Sequence, residues 1–192
     1  QALRPEPLPE RPPLKLAMIA RMLWSKGADT AVAAVVKARA EGVDVTLSLY
    51  GAPDPDNPKA IPEKLMREWA ALPGIDWHGR VRQEDVVGIW ASHHAAVLPS
   101  RGGEGLPRTL LEAAACGRAI LTTDVPGCRD LVRGGVEGLL VAPGDVEALA
   151  RAIIALAREP TWVETFGASA RDRILIGYTE QAVGRTVAYL HR

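Results

Sequence analysis

PSRGGEGLPRTLLE, residues 99–112, is the stretch that decides how this chain is read. It follows a short apolar run, His94-Ala95-Ala96-Val97-Leu98, with the length and composition of a buried strand ending in Pro99-Ser100. Gly102, Gly103 and Gly105 then allow a tight loop in which backbone N–H groups approach a ligand closely. Pro107 suits the first turn of a helix, where its missing donor costs nothing, and the helix runs on through Leu110, Leu111 and the alanines 113–115. On this reading Glu104 stands in a glycine loop and Glu112 about two turns into the following helix. A helix N-terminus attracts anions, so carboxylates beside it are better suited to accepting hydrogen bonds from hydroxyl groups. The pairing points to a ligand with phosphate for the amides and sugar hydroxyls for the glutamates. Taken singly, each glutamate reads more simply as a solvated charge. Glu112, however, sits among Leu110, Leu111, Ala113 and Ala114, where an uncompensated charge is expensive to bury.

Outward from this stretch, apolar runs alternate with helical periodicity. Strands are expected over 14–20, 43–50, 75–78, 94–98, 119–122 and 138–141. Helices are expected over 29–41, stopped by Gly42, and over 61–72, 83–92 and the stretch after Pro107. A helix capped at 143–145 carries Val146, Leu149, Ile153 and Leu156 on one face, and further helical segments cover 161–176 and 179–191. Alternation of this kind predicts an α/β chain: a single Rossmann-like doubly wound domain of about six parallel strands with C-terminal helices. Residues 1–13 hold Pro5, Pro7, Pro9, Pro12 and Pro13 and read as an extended interdomain linker; residues 14–192 form the domain. In such sheets ligands bind beyond the carboxyl ends of the strands, where the strand order reverses. The loops after Ala20, Gly51, His78, Ser100 and Thr123 should therefore gather in one place.

Composition narrows the function. At 192 residues the chain is expected to form one domain, and its 47% hydrophobic and 24% charged residues are ordinary for a globular protein. Lys+Arg and Asp+Glu both number 23, so no global field argues for nucleic acid or an acidic membrane surface. Phosphate binding must come from local placement. Cys116 and Cys128 and the four histidines lack metal-ligand spacing, so no metal site is expected. No run approaches transmembrane length and no signal peptide opens the sequence, which makes a reducing cytoplasm the expected compartment.

The loop after the first strand reads Ala20-Arg21-Met22-Leu23-Trp24-Ser25-Lys26-Gly27. It has neither Gly-x-Gly-x-x-Gly nor Gly-x-x-x-x-Gly-Lys-Ser/Thr, which removes most support for NAD, FAD and P-loop ATP binding. Arg21 and Lys26 instead bracket the turn before a helix. Two such cations can neutralise a diphosphate, Arg as a fork and Lys as a point charge, although two solvated loop charges are the plainer alternative.

These features together resemble the donor-site motif of the retaining GT-B glycosyltransferases, family four in particular. The resemblance rests on two glutamates with seven residues between them, after Pro-Ser and before an Ala-rich helix and Cys-Gly. It continues through the runs 119–127 and 138–141. It implies that Glu104 contacts the transferred sugar and Glu112 holds the ribose of a nucleoside-diphosphate sugar. It further implies that Arg21 and Lys26, just before Gly27, hold the donor diphosphate and stabilise charge as the sugar departs. Gly79-Arg80-Val81 resembles the segment whose backbone meets the nucleobase, and Gly105 and Leu106 would present amides to phosphate or sugar. No cofactor is implied, the nucleotide sugar being a substrate, and the family is metal-independent.

The chain departs from the pattern at Pro107, where many relatives have glycine, and at Gly102-Gly103, which lengthens the loop by one residue. The resemblance covers 14–192 but only the carboxyl-terminal half of the family's architecture. It therefore implies a missing N-terminal acceptor-binding domain and a chain inactive alone. A common setting for the full-length enzymes is bacterial surface polysaccharide synthesis, in the cytoplasm or at the inner face of the membrane. A GT-B epimerase or phosphorylase domain, or a non-catalytic interaction module, stands as the alternative.

Overall fold

Six short runs rich in Ala, Val, Leu, Ile and Thr pair side by side into one parallel sheet, in the order β3-β2-β1-β4-β5-β6. The strands are β1 Leu14–Ile19, β2 Val45–Tyr50, β3 Ile75–Gly79, β4 Ala95–Leu98, β5 Ala119–Thr123 and β6 Gly138–Val141. The computed structural model describes residues 7–54, 56–103 and 105–177; Glu104, the first six residues of the expected linker and the helix expected over 179–191 lie outside the described residues. Every position of β4 and β5 is buried, as expected of strands covered on both faces, whereas the edge strand β3 alternates.

Helices α1 Ala28–Ala40 and α6 Val146–Arg158 pack together, as do α4 Arg108–Ala115 and α7 Pro160–Gly177, while α2 Glu63–Ala70 lies against β3. Right-handed crossovers running in opposite directions from β1 put helices on both faces of the sheet. The core joins Leu16 and Met18 of β1, Ala31 and Val35 of α1, and Leu149 and Ile153 of α6, all buried. Each such large apolar side chain contributes about 1.5–3 kcal/mol. Asp145 caps α6 as expected, its Oδ1 accepting the Ala148 N–H at 2.8 Å. No helix among the described residues is long and apolar enough to cross a membrane.

Two local expectations are corrected. The helix expected over 83–92 divides into a 3-10 turn, Gln83–Asp85, and α3 Val86–Ala91. Arg82 closes that turn: its carbonyl accepts the Asp85 N–H at 3.0 Å and its guanidinium donates to the Asp85 carboxylate at 2.9 and 3.1 Å. Pro107 stands outside α4 as its N-cap, extended at ψ 113°, so Glu112 lies little more than one turn into the helix. A short helix, α5 Pro126–Leu131, follows β5, with Pro126 opening it.

The switch in strand order falls between β1 and β4, where only Leu16 pairs with Ala95 and Ala17 with Ala96. Beyond this point the turn before α1 rests directly on the end of β4. Gly27, at φ 75°, comes so close to Pro99 that a Cβ built on it would lie 2.0 Å from the Pro99 carbonyl oxygen. Only glycine fits there.

At the opposite end of the sheet the described part of the proline-rich segment, residues 7–13, forms no helix or strand yet is pinned to the domain. The fully buried Arg118 donates to the Pro7 carbonyl, and Arg11 Nη2 donates to the carbonyls of Leu156 and Ala157 at 3.2 and 2.8 Å. His94 uses both ring nitrogens: Nδ1 accepts the Lys15 N–H at 2.9 Å, and Nε2 lies 3.0 Å from the Pro9 carbonyl, to which it donates. That arrangement requires the neutral ring, and burial pushes the His94 pKa down to about 4.

Two measurements follow from these contacts. Because the folded pKa of His94 lies below its ordinary value of about 6.5, its contribution is complete above that pH. It is lost as pH falls toward 4, the unfolded chain taking the proton first. Urea unfolding at pH 7.5 and 4.5 should show a loss of about 2–3 kcal/mol that is missing from His94→Gln. Gly27→Ala should cost more than about 3 kcal/mol, against about 1 kcal/mol for Gly42→Ala. Residue 42 shares a positive φ, 81°, but has nothing within 4 Å of a built Cβ. Equal costs at the two positions would show that the approach to Pro99 is not a close constraint.

Candidate functional site

The carboxyl ends of β1, β2 and β3 and the first turns of α4 enclose a cleft of about 890 Å³. Each wall follows from local sequence. Ile19, Ala20 and Arg21 leave the end of β1, and Arg21 is exposed toward the opening. The loop after β2 turns at Gly51, φ 139°, where a Cβ would lie 1.8 Å from the Ala20 carbonyl oxygen. This contact presses Gly51, Ala52, Pro53 and Asp54 against the end of β1. Trp77 Nε1 donates to the Gly51 carbonyl at 2.7 Å and ties β3 to the same loop.

Tyr50 closes the wall between β2 and β3, its ring stacked on His78 at 4.5 Å and 13° and edge-on to His93 at 5.9 Å. Burial chiefly raises the Tyr50 phenol pKa, so it stays protonated and able to donate. After β3, Arg80 and Val81 line the cleft, followed by Gln83 and Val86.

α4 supplies Arg108, Thr109 and Glu112. The Glu112 side chain is only 14% exposed. Its Oε1 accepts from Arg108 Nε at 2.9 Å and from Gln83 Nε2 at 3.1 Å. Oε2 makes no hydrogen bond among the described residues. Glu112 is therefore a half-satisfied carboxylate facing a cleft, the state that suits an acceptor for ligand hydroxyls. Thr109 adds a buried Oγ1 that likewise has no protein partner among the described residues. Three arginines, 21, 80 and 108, face two carboxylates, Asp54 and Glu112, around the same space. Such a lining can neutralise phosphate at one end and accept hydroxyl protons at another.

The structure thus brings Arg21, Arg80, Val81 and Glu112 to one cleft. Lys26 ends the 3-10 turn Trp24–Lys26, half-buried, and with Gly27 stands beside the cleft rather than in its lining. Gly105 and Leu106 are exposed in the loop before α4. Glu104 lies outside the described residues.

No sequence motif marks Tyr50, Gln83, Arg108 or Thr109. The sequence of the β2 loop carries one further signal. Asp54-Pro55-Asp56 spells Asp-x-Asp, and Asp54 lines the cleft, its Oδ1 accepting the Asp56 N–H at 3.3 Å. Among the described residues, no group of three or more His, Cys, Asp or Glu side chains comes together in a way that could hold a metal ion.

Known proteins share this architecture. A solved structure of Anabaena Alr3699/HepE in complex with UDP-glucose superposes with TM-score 0.80 at 19% identity, covering 92% of this chain and 48% of that one. The C-terminal domain of a glycosyl transferase group 1 family protein (LpcC) from Francisella tularensis superposes with TM-score 0.74 at 17% identity, covering 87% of each chain. In sequence, the exopolysaccharide phosphotransferase SCO2592 of Streptomyces coelicolor is 31% identical over 162 residues, 82% of this chain and 16% of that protein. The glycogen synthase of Mycobacterium tuberculosis is 26% identical over 191 residues, 95% of this chain and 43% of that protein. The chain thus spans less than half the length of these relatives. The sequence model described as glycosyl transferases group 1 matches residues 13–159, on the strands and loops that build the cleft, and the chain belongs to that family.

Proposed function

We propose that this chain is the donor-binding half of a retaining glycosyltransferase of family four, moving a sugar from a nucleoside diphosphate to an acceptor. The observation that carries the reading is the open Oε2 of Glu112 in one cleft with Arg21 and Arg80, at the point where the strand order reverses. In this assignment Oε2 accepts the ribose hydroxyls, Arg80 and Val81 flank the base, and Arg21 with Lys26 holds the diphosphate. Glu104 contacts the transferred sugar, and the amides of Gly105 and Leu106 serve the phosphate or sugar. Negative charge grows on the diphosphate as the glycosidic bond breaks. Cations held beside it therefore bind the transition state more tightly than the ground state, which is the part of binding that speeds the reaction. The donor is a substrate, and no cofactor or metal is invoked.

The family membership and the fold shared with a protein solved with UDP-glucose support a nucleotide-sugar ligand. The shared fold with an isolated C-terminal domain fits a unit of this size folding by itself. On this reading the chain alone turns over little or nothing. The setting we propose is cytoplasmic assembly of a bacterial surface polysaccharide, in keeping with a relative named for exopolysaccharide.

Calorimetric titration with UDP, GDP, ADP and their sugar conjugates tests the assignment. One nucleotide should bind, and Glu112→Ala should weaken it about tenfold or more, the worth of hydrogen bonds to a charged group. Silence toward every nucleotide at millimolar concentration would sink the donor site. An unchanged affinity in Glu112→Ala would make Glu112 structural.

A further inference from the structure

The diphosphate cations and the glycine loop leave different strands, β1 and β4, and must be held at a fixed spacing if they are to grip one ligand. The residue that spans the two is Arg101, directly after Ser100. Its N–H donates to the Ser25 carbonyl at 2.8 Å, and its Nη1 donates to the Trp24 carbonyl at 2.6 Å. Nη2 reaches the Asp29 carboxylate at 2.6 Å and Thr30 Oγ1 at 3.1 Å, both in the first turn of α1. Ser100 Oγ adds a bond to the Ser25 carbonyl at 3.3 Å. One side chain thus fastens the 3-10 turn that carries Lys26, and the helix behind it, to the first residue of the glycine loop.

The geometry makes this more than a surface ion pair. The Arg101 and Asp29 side chains are 35% and 29% exposed, and Asp29 Oδ1 is buried with no hydrogen-bond partner among the described residues. Asp29 therefore depends on Arg101 for most of its compensation. On the other side the same turn is held through backbone, by the Trp24 N–H on the Lys59 carbonyl at 3.1 Å and the Leu23–Ala60 bridge. Without the Arg101 side chain the Trp24 carbonyl keeps only the Gly27 N–H, at 3.2 Å, so the turn opens more readily. The bond from the residue 101 N–H to Ser25 and the Gly27–Pro99 contact persist, so the turn loosens against the β4 loop without parting from it. Addressing a carbonyl and a carboxylate at once takes a planar fork, which Arg has and Lys lacks.

We propose that Arg101 is a positioning residue that steadies the diphosphate-binding turn 21–26 against the glycine loop after β4, with Asp29 as its anchor. This rests on the donor-site reading above. Arg101 touches no ligand itself; it acts through the turn. Its loss should weaken contacts to the distal phosphate and leave those to base and ribose, which belong to β3 and α4.

The test is calorimetry on the chain and on Arg101→Met, Arg101→Lys, Asp29→Asn and the Arg101→Met/Asp29→Asn double variant. The probes are whichever of UDP, GDP and ADP the unsubstituted chain binds, and the matching monophosphate. Arg101→Met should weaken the diphosphate about tenfold and the monophosphate less than about twofold, with Arg101→Lys recovering only part. The double variant should be no worse than Arg101→Met, as for two residues acting as one unit. Amide hydrogen exchange on the same proteins should quicken at Lys26 and Gly27 in Arg101→Met while β1 and β4 keep their protection. Equal weakening of both probes, additive effects of the two substitutions, or unchanged exchange at Lys26 and Gly27 would overturn the proposal alone. Failure of the unsubstituted chain to bind any of the three nucleotides would overturn the donor-site reading and, with it, the proposal.

Discussion

The carbonyl oxygen of Pro99 occupies the place where a side chain on residue 27 would begin, and the rest of the site is built around that exclusion. Parallel strands that wind outward in opposite directions leave a gap where their order reverses, and something must bridge it. Here the bridge is backbone against backbone. Gly27 lets the turn that opens α1 come down on the end of β4, and the two loops then share hydrogen bonds through Ser25, Ser100 and Arg101. Gly51 repeats the device one strand over, with its own approach to the Ala20 carbonyl. The cleft exists because three loop ends are pulled together without side chains between them.

What fills the resulting space is polar and only partly satisfied. Glu112, in the lining of the cleft, gives one oxygen to Arg108 and Gln83 and leaves the other without a hydrogen bond among the described residues, and the Thr109 hydroxyl is buried without a partner among them. Native interiors pair nearly all such groups, and on the proposed donor-site reading the ligand completes the pairing. The charges of the lining have both signs, which fits a ligand with an anionic end and a hydroxyl-rich one. At the other end of the sheet His94, Arg118 and Arg11 donate to the carbonyls of residues 7–13 and of α6, which makes that face structural.

The fold was legible in the sequence because alternation of strand and helix leaves few topologies once crossovers are right-handed. All six strands fall where the apolar runs put them. Glu112 was legible as a site residue because a charge among Leu110, Leu111 and alanines demands a reason. Its partners were not, since Gln83 lies 29 positions away and carries no motif. Arg101 was hidden for the same reason: Asp29 is 72 positions distant, and a lone arginine beside glycines looks like any surface charge. The sequence leaves Pro107 open by one residue, because proline suits both the first turn and the cap, and only the observed ψ tells them apart. Asp54 fell within a loop whose Asp and Pro content reads as a turn, and the loop lines the cleft only because Gly51 folds it back.

Mapping amide chemical shifts during titration with a nucleoside diphosphate tests the central claim most directly, that one ligand engages loops from both sides of the strand switch. The expected shifts fall together at Arg21 and Gly27, at Gly51, at Arg80 and Val81 and around Glu112, with a single binding curve, while residues near Arg118 and His94 stay still. Shifts confined to one side of the switch, or centred on the face where residues 7–13 pack, would contradict it.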